Sequence, residues 1–144
     1  MQMTAHASVP DQIAGNLTPI LEAEALVRLA YLYGSVLHRP DPEDVDLAVW
    51  APGTAGVSAF DREAWLNSLA LRLERGLVPR RPLDLRLLDR APAQFRYAVI
   101  RTGRLLLARS EVERVRFEAD AATLALDLSV GLRAYDRAML HAIP

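Results

Sequence analysis

Cysteine is absent from the chain, and so is lysine; all 17 basic residues are arginine. The first absence excludes disulfides, thiolate metal sites and a cysteine nucleophile. The second excludes Schiff-base chemistry and a P-loop, both of which need a side-chain amine. Histidine is scarce, and His6, His38 and His141 are far apart in the chain. That spacing argues against a histidine metal cluster or a Ser-His-Asp triad. No apolar run approaches the roughly 18 residues that cross a bilayer. The opening MQMTAHASVPDQ lacks the basic-then-apolar layout of a secretory signal. A cytoplasmic location is therefore the expectation. The net charge of -1 supplies no general pull toward nucleic acid or anionic lipid, so neither a membrane nor direct nucleic-acid contact is expected.

What is present is a chain of 144 residues with 51% hydrophobic content, enough to bury a core. A single domain over residues 1–144 is expected, with the first ten residues loose. Ile13, Leu17, Ile20, Leu21, Leu26 and Leu29 predict a helix from Asp11 to about Leu29. LAYLYG reads as a strand stopped by Gly34, and RPDPED breaks any helical turn that SVLH begins. DVDLAVWA alternates, with Val45, Leu47 and Val49 facing one way and Asp44, Asp46 and Ala48 the other. A helix is predicted over Asp61 to Arg75, with Asp61 as its N-cap and Gly76 as its stop. RPLDLRLLDR is a third strand in the same alternation, followed by a helix ending at Gly103 and the short strand RLLLAR. From Glu111 to about His141 the chain reads as one helix. Its apolar stripe is Phe117, Ala121, Leu124, Leu128, Leu132, Tyr135 and Met139, with Gly131 as a weak point. The stripe predicts packing onto the sheet or the first helix. The fold class is α/β, a small mixed sheet flanked by helices.

Carboxylates in an apolar strand are costly unless they are solvated, paired or bound to a cation. Asp44 and Asp46 on one strand would have Cα atoms about 6.5 Å apart, two strand rises. Asp84 sits in the same phase on a later strand, and Gly34-Ser35 closes an earlier one. If these strands are neighbours, the carboxylates converge. Like charges then disfavour joint ionisation, so at least one should hold its proton more tightly in the metal-free protein. Oxygen ligands of this kind suit Mg²⁺ and, through it, the phosphates of a nucleotide. Gly34 would let backbone approach a phosphate, and Ser35 offers a hydroxyl and an N–H at a turn.

YGS, then DVDLAV, then LDLRLL resembles the nucleotidyltransferases of the DNA polymerase β superfamily. The small size is similar to that of the minimal nucleotidyltransferases, the MNT antitoxins of bacterial HEPN–MNT toxin–antitoxin pairs. The resemblance spans about Leu26 to Ala108, and the closing segment FEADAATLALDLSVGLRAYDRAML looks like that family's last helix. It implies a polymerase-β-type fold with a long C-terminal helix. It also implies that Gly34 and Ser35 hold a nucleotide triphosphate. Asp44 and Asp46 would bind Mg²⁺, and Asp84 would be the third carboxylate, a metal ligand or the general base. Arg39 stands where the family's phosphate-binding arginine is sought. The family's antitoxins attach AMP from ATP to the HEPN toxin, which silences its RNase activity. One departure is the eight-residue spacer VLHRPDPE between Ser35 and Asp44, shorter than the usual one, with Pro40 in place of a glycine.

The leading expectation is thus a Mg²⁺-dependent enzyme using ATP, with a HEPN-domain toxin as partner. A non-catalytic antitoxin that acts by binding alone is the alternative motivated by the altered loop. An aminoglycoside-type transferase is a further one, although 144 residues leave little room for an acceptor domain.

Overall fold

Four short apolar stretches pair into one sheet in the computed structural model, which describes residues 7–141. In chain order the elements are α1 (Val9–Ala23), β1 (Leu29–Tyr33), β2 (Val45–Trp50), α2 (Ala59–Gly76), β3 (Leu83–Leu87), α3 (Ala93–Thr102), β4 (Arg104–Ala108) and α4 (Glu111–His141). The strand order is β3-β2-β1-β4. β1 runs antiparallel to both β2 and β4, whereas β2 and β3 are parallel. A parallel pair needs a crossover, and α2 supplies it.

Both faces of the sheet are covered. On one, Ala30, Leu32, Val45, Leu47 and Val49 meet Ile13, Leu17 and Leu21 of α1 and Leu69 and Leu73 of α2. On the other, Leu29, Tyr31 and Ala48 pack with Leu88, Val99 of α3 and Phe117 of α4. Ala48, expected on a polar face, is fully buried there. The alternation in β2 is therefore apolar at every position from Leu47 to Val49, with Asp46 at the open end.

Several boundaries differ from those the periodicity predicts. α1 begins at Val9, so Val9 and Pro10 are helical and not loose; Ser8 Oγ accepts the Asp11 N–H at 3.2 Å and Pro10 fits the first turn. Residues 1–6 of the expected loose segment lie outside those described. The helix ends at Ala23, not near Leu29: Glu24 is extended, Leu29 is already paired in β1, and Arg109, just after β4, bonds the carbonyls left at the helix end. Its guanidinium donates to the carbonyls of Leu21 (3.0 Å), Glu22 (2.8 Å), Glu24 (3.0 Å) and Val27 (3.0 Å). α2 starts two residues before Asp61, and its N-cap is Ser58, whose Oγ accepts the Asp61 N–H at 3.1 Å. Gly76 is the last helical residue, and a Cβ there would collide with Ile20 of α1.

Among the described residues, α4 packs chiefly against α3 and the sheet. Trp50 and Phe117 stack with centroids 4.9 Å apart, and Tyr31 donates its hydroxyl to Glu118 at 2.8 Å. Its buried positions among the described side chains are Phe117, Ala121 and Ala125, while Leu124 (43%) and Leu128 (47%) stay exposed. The predicted stripe departs from the buried one after Ala121, where Ala125 faces α3 in place of Leu124, and Gln94 of α3 donates to the Ala125 carbonyl at 3.0 Å. The side chains of Leu132, Tyr135 and Met139 lie outside those described. No helix among the described residues is long and apolar enough to cross a membrane.

Replacing the α2 cap tests the boundary. Ser58→Ala should cost about 1 kcal/mol of stability in urea denaturation. Asp61→Ala should cost only a few tenths, roughly the value of an exposed charge near a helix N-terminus. A larger loss for Asp61→Ala would return the cap to Asp61.

Candidate active site

The open end of the second sheet face gathers polar groups from three strands. β1 pairs Tyr33 with Asp46 of β2, and the parallel β2–β3 ladder pairs Asp46 with Asp84. Residues opposite one another in a ladder project to the same face. Tyr33, Asp46 and Asp84 therefore form a row across the sheet, on the face expected for the two carboxylates.

Gly34 turns the chain immediately after β1. Its φ is +81°, and a Cβ at this position would lie 2.5 Å from Asp46 Oδ2. Glycine is needed on both counts. The chain then forms a 3-10 turn over Gly34–Leu37, in which the Ser35 carbonyl accepts the N–H groups of His38 (3.0 Å) and Arg39 (2.9 Å). Asp44 precedes β2 instead of lying in it, and is exposed. Arg39 is exposed and makes no side-chain hydrogen bond or ion pair among the described residues. The structure thus brings Gly34, Asp46 and Asp84 together, with Asp44 near enough to act on Asp46 through its charge.

Burial is the main reason that Asp46 holds its proton above the usual carboxylate range, and repulsion from Asp84 and then Asp44 adds to it. Arg86 offsets part of this. The Tyr33 hydroxyl is buried without a hydrogen-bond partner, and burial, followed by the charge of Asp46, pushes it up to about 12. Arg86 Nε donates to Asp84 Oδ2 at 3.1 Å, and its guanidinium carbon stands 5.4 Å from the Phe95 ring centroid. Phe95 meets Tyr33 edge-on at 5.6 Å. Tyr33, Arg86 and Phe95 are thus site residues that motif reasoning passes over. Alternation could have found Arg86, two positions from Asp84, whereas Phe95 arrives from α3 and carries no local signal.

Among the described residues, no three His, Cys, Asp or Glu side chains form a ready metal cage. Asp84 is engaged by Arg86 and Asp44 is not drawn in. The donor chemistry nonetheless fits a hard divalent cation: carboxylate oxygens, adjacent in the ladder, with charge that Arg86 only partly relieves. A separate cleft of about 330 Å³ opens at the other end of β2 and β3, lined by Trp50, Arg62, Asp89 and Arg96 among others. Asp89 there accepts the Ala51 N–H at 2.9 Å, and buried Ala48 separates this cleft from Asp46.

The model of the family "Polymerase beta, Nucleotidyltransferase" matches residues 15–112, an interval that contains every residue of the row. The chain belongs to this nucleotidyltransferase family. No curated protein matches it in sequence. In fold, the nucleotidyltransferase is similar to a chain of the Shewanella oneidensis complex of a tri-AMPylated HEPN toxin with an MNT antitoxin. That match has 19% identity, covers 89% of this chain and 96% of that one, and has a TM-score of 0.62. A toxin–antitoxin structure with AMP-PNP matches at 20% identity, 88% and 98% coverage and a TM-score of 0.62. A mutant of the MntA toxin–antitoxin complex matches at 18% identity, 88% and 98% coverage and a TM-score of 0.63. The fold is thus the polymerase-β-type nucleotidyltransferase fold, with α4 as the long C-terminal helix.

The raised Asp46 carboxyl gives a signed prediction for the metal-free protein. A folded state that holds a proton more tightly than the unfolded state loses stability as pH rises from the unfolded value, near 3.8, through the folded one. Asp46→Asn removes that loss. In EDTA, its denaturation midpoint should exceed that of the wild type at pH 7, and the gap should close as pH falls below 3.8. A gap that widens toward acid would contradict the crowding of Asp46.

Proposed function

We propose that this nucleotidyltransferase is a Mg²⁺-dependent adenylyltransferase antitoxin that moves AMP from ATP onto a HEPN-domain toxin and so neutralises it. The observation that carries the reading is the pairing of Asp46 with Asp84 beside Gly34, whose missing side chain leaves room for the Asp46 carboxylate. The AMPylated toxin and AMP-PNP in the similar complexes support the donor and the acceptor class. Residues 1–144 would act as one domain, in the cytoplasm.

Asp44, Asp46 and Asp84 would hold the cation, and Gly34, Ser35 and Arg39 the triphosphate. Mg²⁺ held by these carboxylates would supply positive charge to the phosphate oxygens as they gain charge in the transition state. The toxin hydroxyl oxygen bonds to the α-phosphorus, the bond to the bridging oxygen of the β-phosphate breaks, and pyrophosphate leaves. The hydroxyl proton passes to Asp84, the most exposed member of the pair and the one at the sheet edge. Gly34 turns the backbone away beside Asp46, so a phosphate can approach without meeting a side chain.

A second reading has one observation in its favour. Asp84 is held by Arg86 and no three-carboxylate cage is formed among the described residues, as suits an antitoxin that acts by binding alone.

The Asp44→Asn, Asp46→Asn double variant separates the two. Asparagine preserves shape and removes the charge that would hold the cation. Transfer to the purified HEPN partner, read as added AMP by intact mass, should fall on the order of a thousandfold or more. The variant should also lose the stabilisation that Mg-ATP gives the wild type, about 2.7 kcal/mol at a hundredfold excess over Kd. Undiminished protection of toxin-expressing cells by the double variant would favour binding alone.

A further inference from the structure

Asp46, Ala48 and Trp50 alternate onto one face of β2, and at the Trp50 end the strand opens into the cleft of about 330 Å³. Trp50 lies about 13 Å along the strand from Asp46, and Ala48 between them is sealed by Val99 and Phe117. The walls of the cleft are fixed. Arg62 of α2 donates to the carbonyls of Thr54 and Val57, both at 3.2 Å, and so pins the turn over Pro52–Gly56. Asp89 holds the Ala51 N–H, and the Trp50–Phe117 stack forms an aromatic wall. The charges inside are unbalanced. Arg62, Asp89 and Arg96 are half-buried, whereas Arg90 and Asp120 stand at the exposed rim. Two guanidinia therefore face one inner carboxylate, and among the described residues no salt bridge joins any of these groups. The Arg96 Nε is buried without a hydrogen-bond partner among the described residues, a state that few buried donors keep.

We propose that this cleft binds a nucleoside monophosphate, at a site separate from the carboxylate row. The phosphate pairs with Arg96 and Arg62, because a planar guanidinium offers parallel N–H groups to phosphate oxygens. The base lies against Trp50 and Phe117 in the offset manner that aromatic rings prefer. Asp89 and Asp120 accept from ribose hydroxyls or from an amino group of the base. The volume is on the order of ten times a water's share of the liquid, so it suits an organic molecule. An inorganic anion would leave the aromatic wall unused, and a neutral ring would leave the guanidinia unpaired. The proposal stands independently of the adenylyltransferase reading.

Fluorescence titration of the full chain in EDTA tests this with AMP, adenosine and inorganic phosphate. The chain has two tryptophans, so a Trp65→Phe background leaves Trp50 as the reporter. AMP should change Trp50 emission saturably and bind roughly tenfold or more tightly than adenosine or phosphate. Arg96→Ala should weaken AMP on the order of tenfold, the loss of one charge-assisted partner, and leave adenosine unmoved. Arg96→Lys should fall between, keeping the charge without the fork. The Asp44→Asn, Asp46→Asn double variant should bind AMP as before, since neither carboxylate lines the cleft. Calorimetry on chains that retain Trp65 should return the same ratio between wild type and Arg96→Ala. Trp50 emission that ignores AMP overturns the proposal, as does phosphate binding as tightly as AMP. An AMP affinity that Arg96→Ala leaves unchanged overturns it too. A shifted affinity in the double variant would put AMP at the carboxylate row instead, and would leave the adenylyltransferase reading in place.

Discussion

The parallel pairing of β2 with β3 governs where every polar group of the site stands. In this ladder Asp46 faces Asp84, while the neighbouring antiparallel ladder brings Tyr33 to the other side of Asp46. Shifting β3 by one residue would turn Asp84 toward α1 and α2 and bring Leu83 or Leu85 to the carboxylate face. The register is protected by apolar burial. Leu83, Leu85 and Leu87 pack against the first core together with Val45, Leu47 and Val49. α2 holds the crossover in place through Leu69 and Leu73, both fully buried. Core leucines thus position the carboxylates without touching them.

The second face of the sheet divides between packing and chemistry within a few residues. Ala48 is sealed under Val99 and Phe117, and two positions earlier Asp46 remains only partly buried. That partial burial raises the energy of its charged form, and Asp84 raises it further. Phe95 ties the arrangement together, touching Tyr33 with its edge and standing beneath Arg86. An aromatic ring there tolerates both an apolar and a cationic neighbour.

Much of this was legible in the residues, and the failures have physical causes. Strict alternation in DVDLAV and LDLRLL located two strands and the face of their aspartates, because period two has no helical counterpart. Gly34 announced a turn, but not that the carboxylate of Asp46 would occupy the space of its absent Cβ. The alternation carries Asp44 into β2, yet the ladder starts at Val45; the end of a strand depends on what pairs with it, which no local pattern records. Ser58 was missed as a cap because Asp61 has the better local signature and Ser58 lies beyond a hydrophobic Phe60. Tyr33, Arg86 and Phe95 form a unit only in three dimensions. Along the chain, β2 and α2 lie between Tyr33 and Arg86, and a short turn lies between Arg86 and Phe95.

The clamp made by Arg109 has a consequence for synthesis. Four carbonyls at the end of α1 and the entry to β1 depend on a side chain more than eighty residues downstream. As the chain leaves the ribosome, the carbonyls of Leu21 and Glu24 have only the local N–H groups of Glu24 and Val27, and the others lack this side-chain partner, until β4 and the arginine after it emerge. β1, at the heart of the sheet, is likewise open along one edge over the same interval, since its second neighbour is β4. The amino-terminal helix and central strand are therefore made first and secured last. A nascent chain interrupted before β4 would present an unpaired apolar strand edge, the kind of surface that recruits chaperones or aggregates.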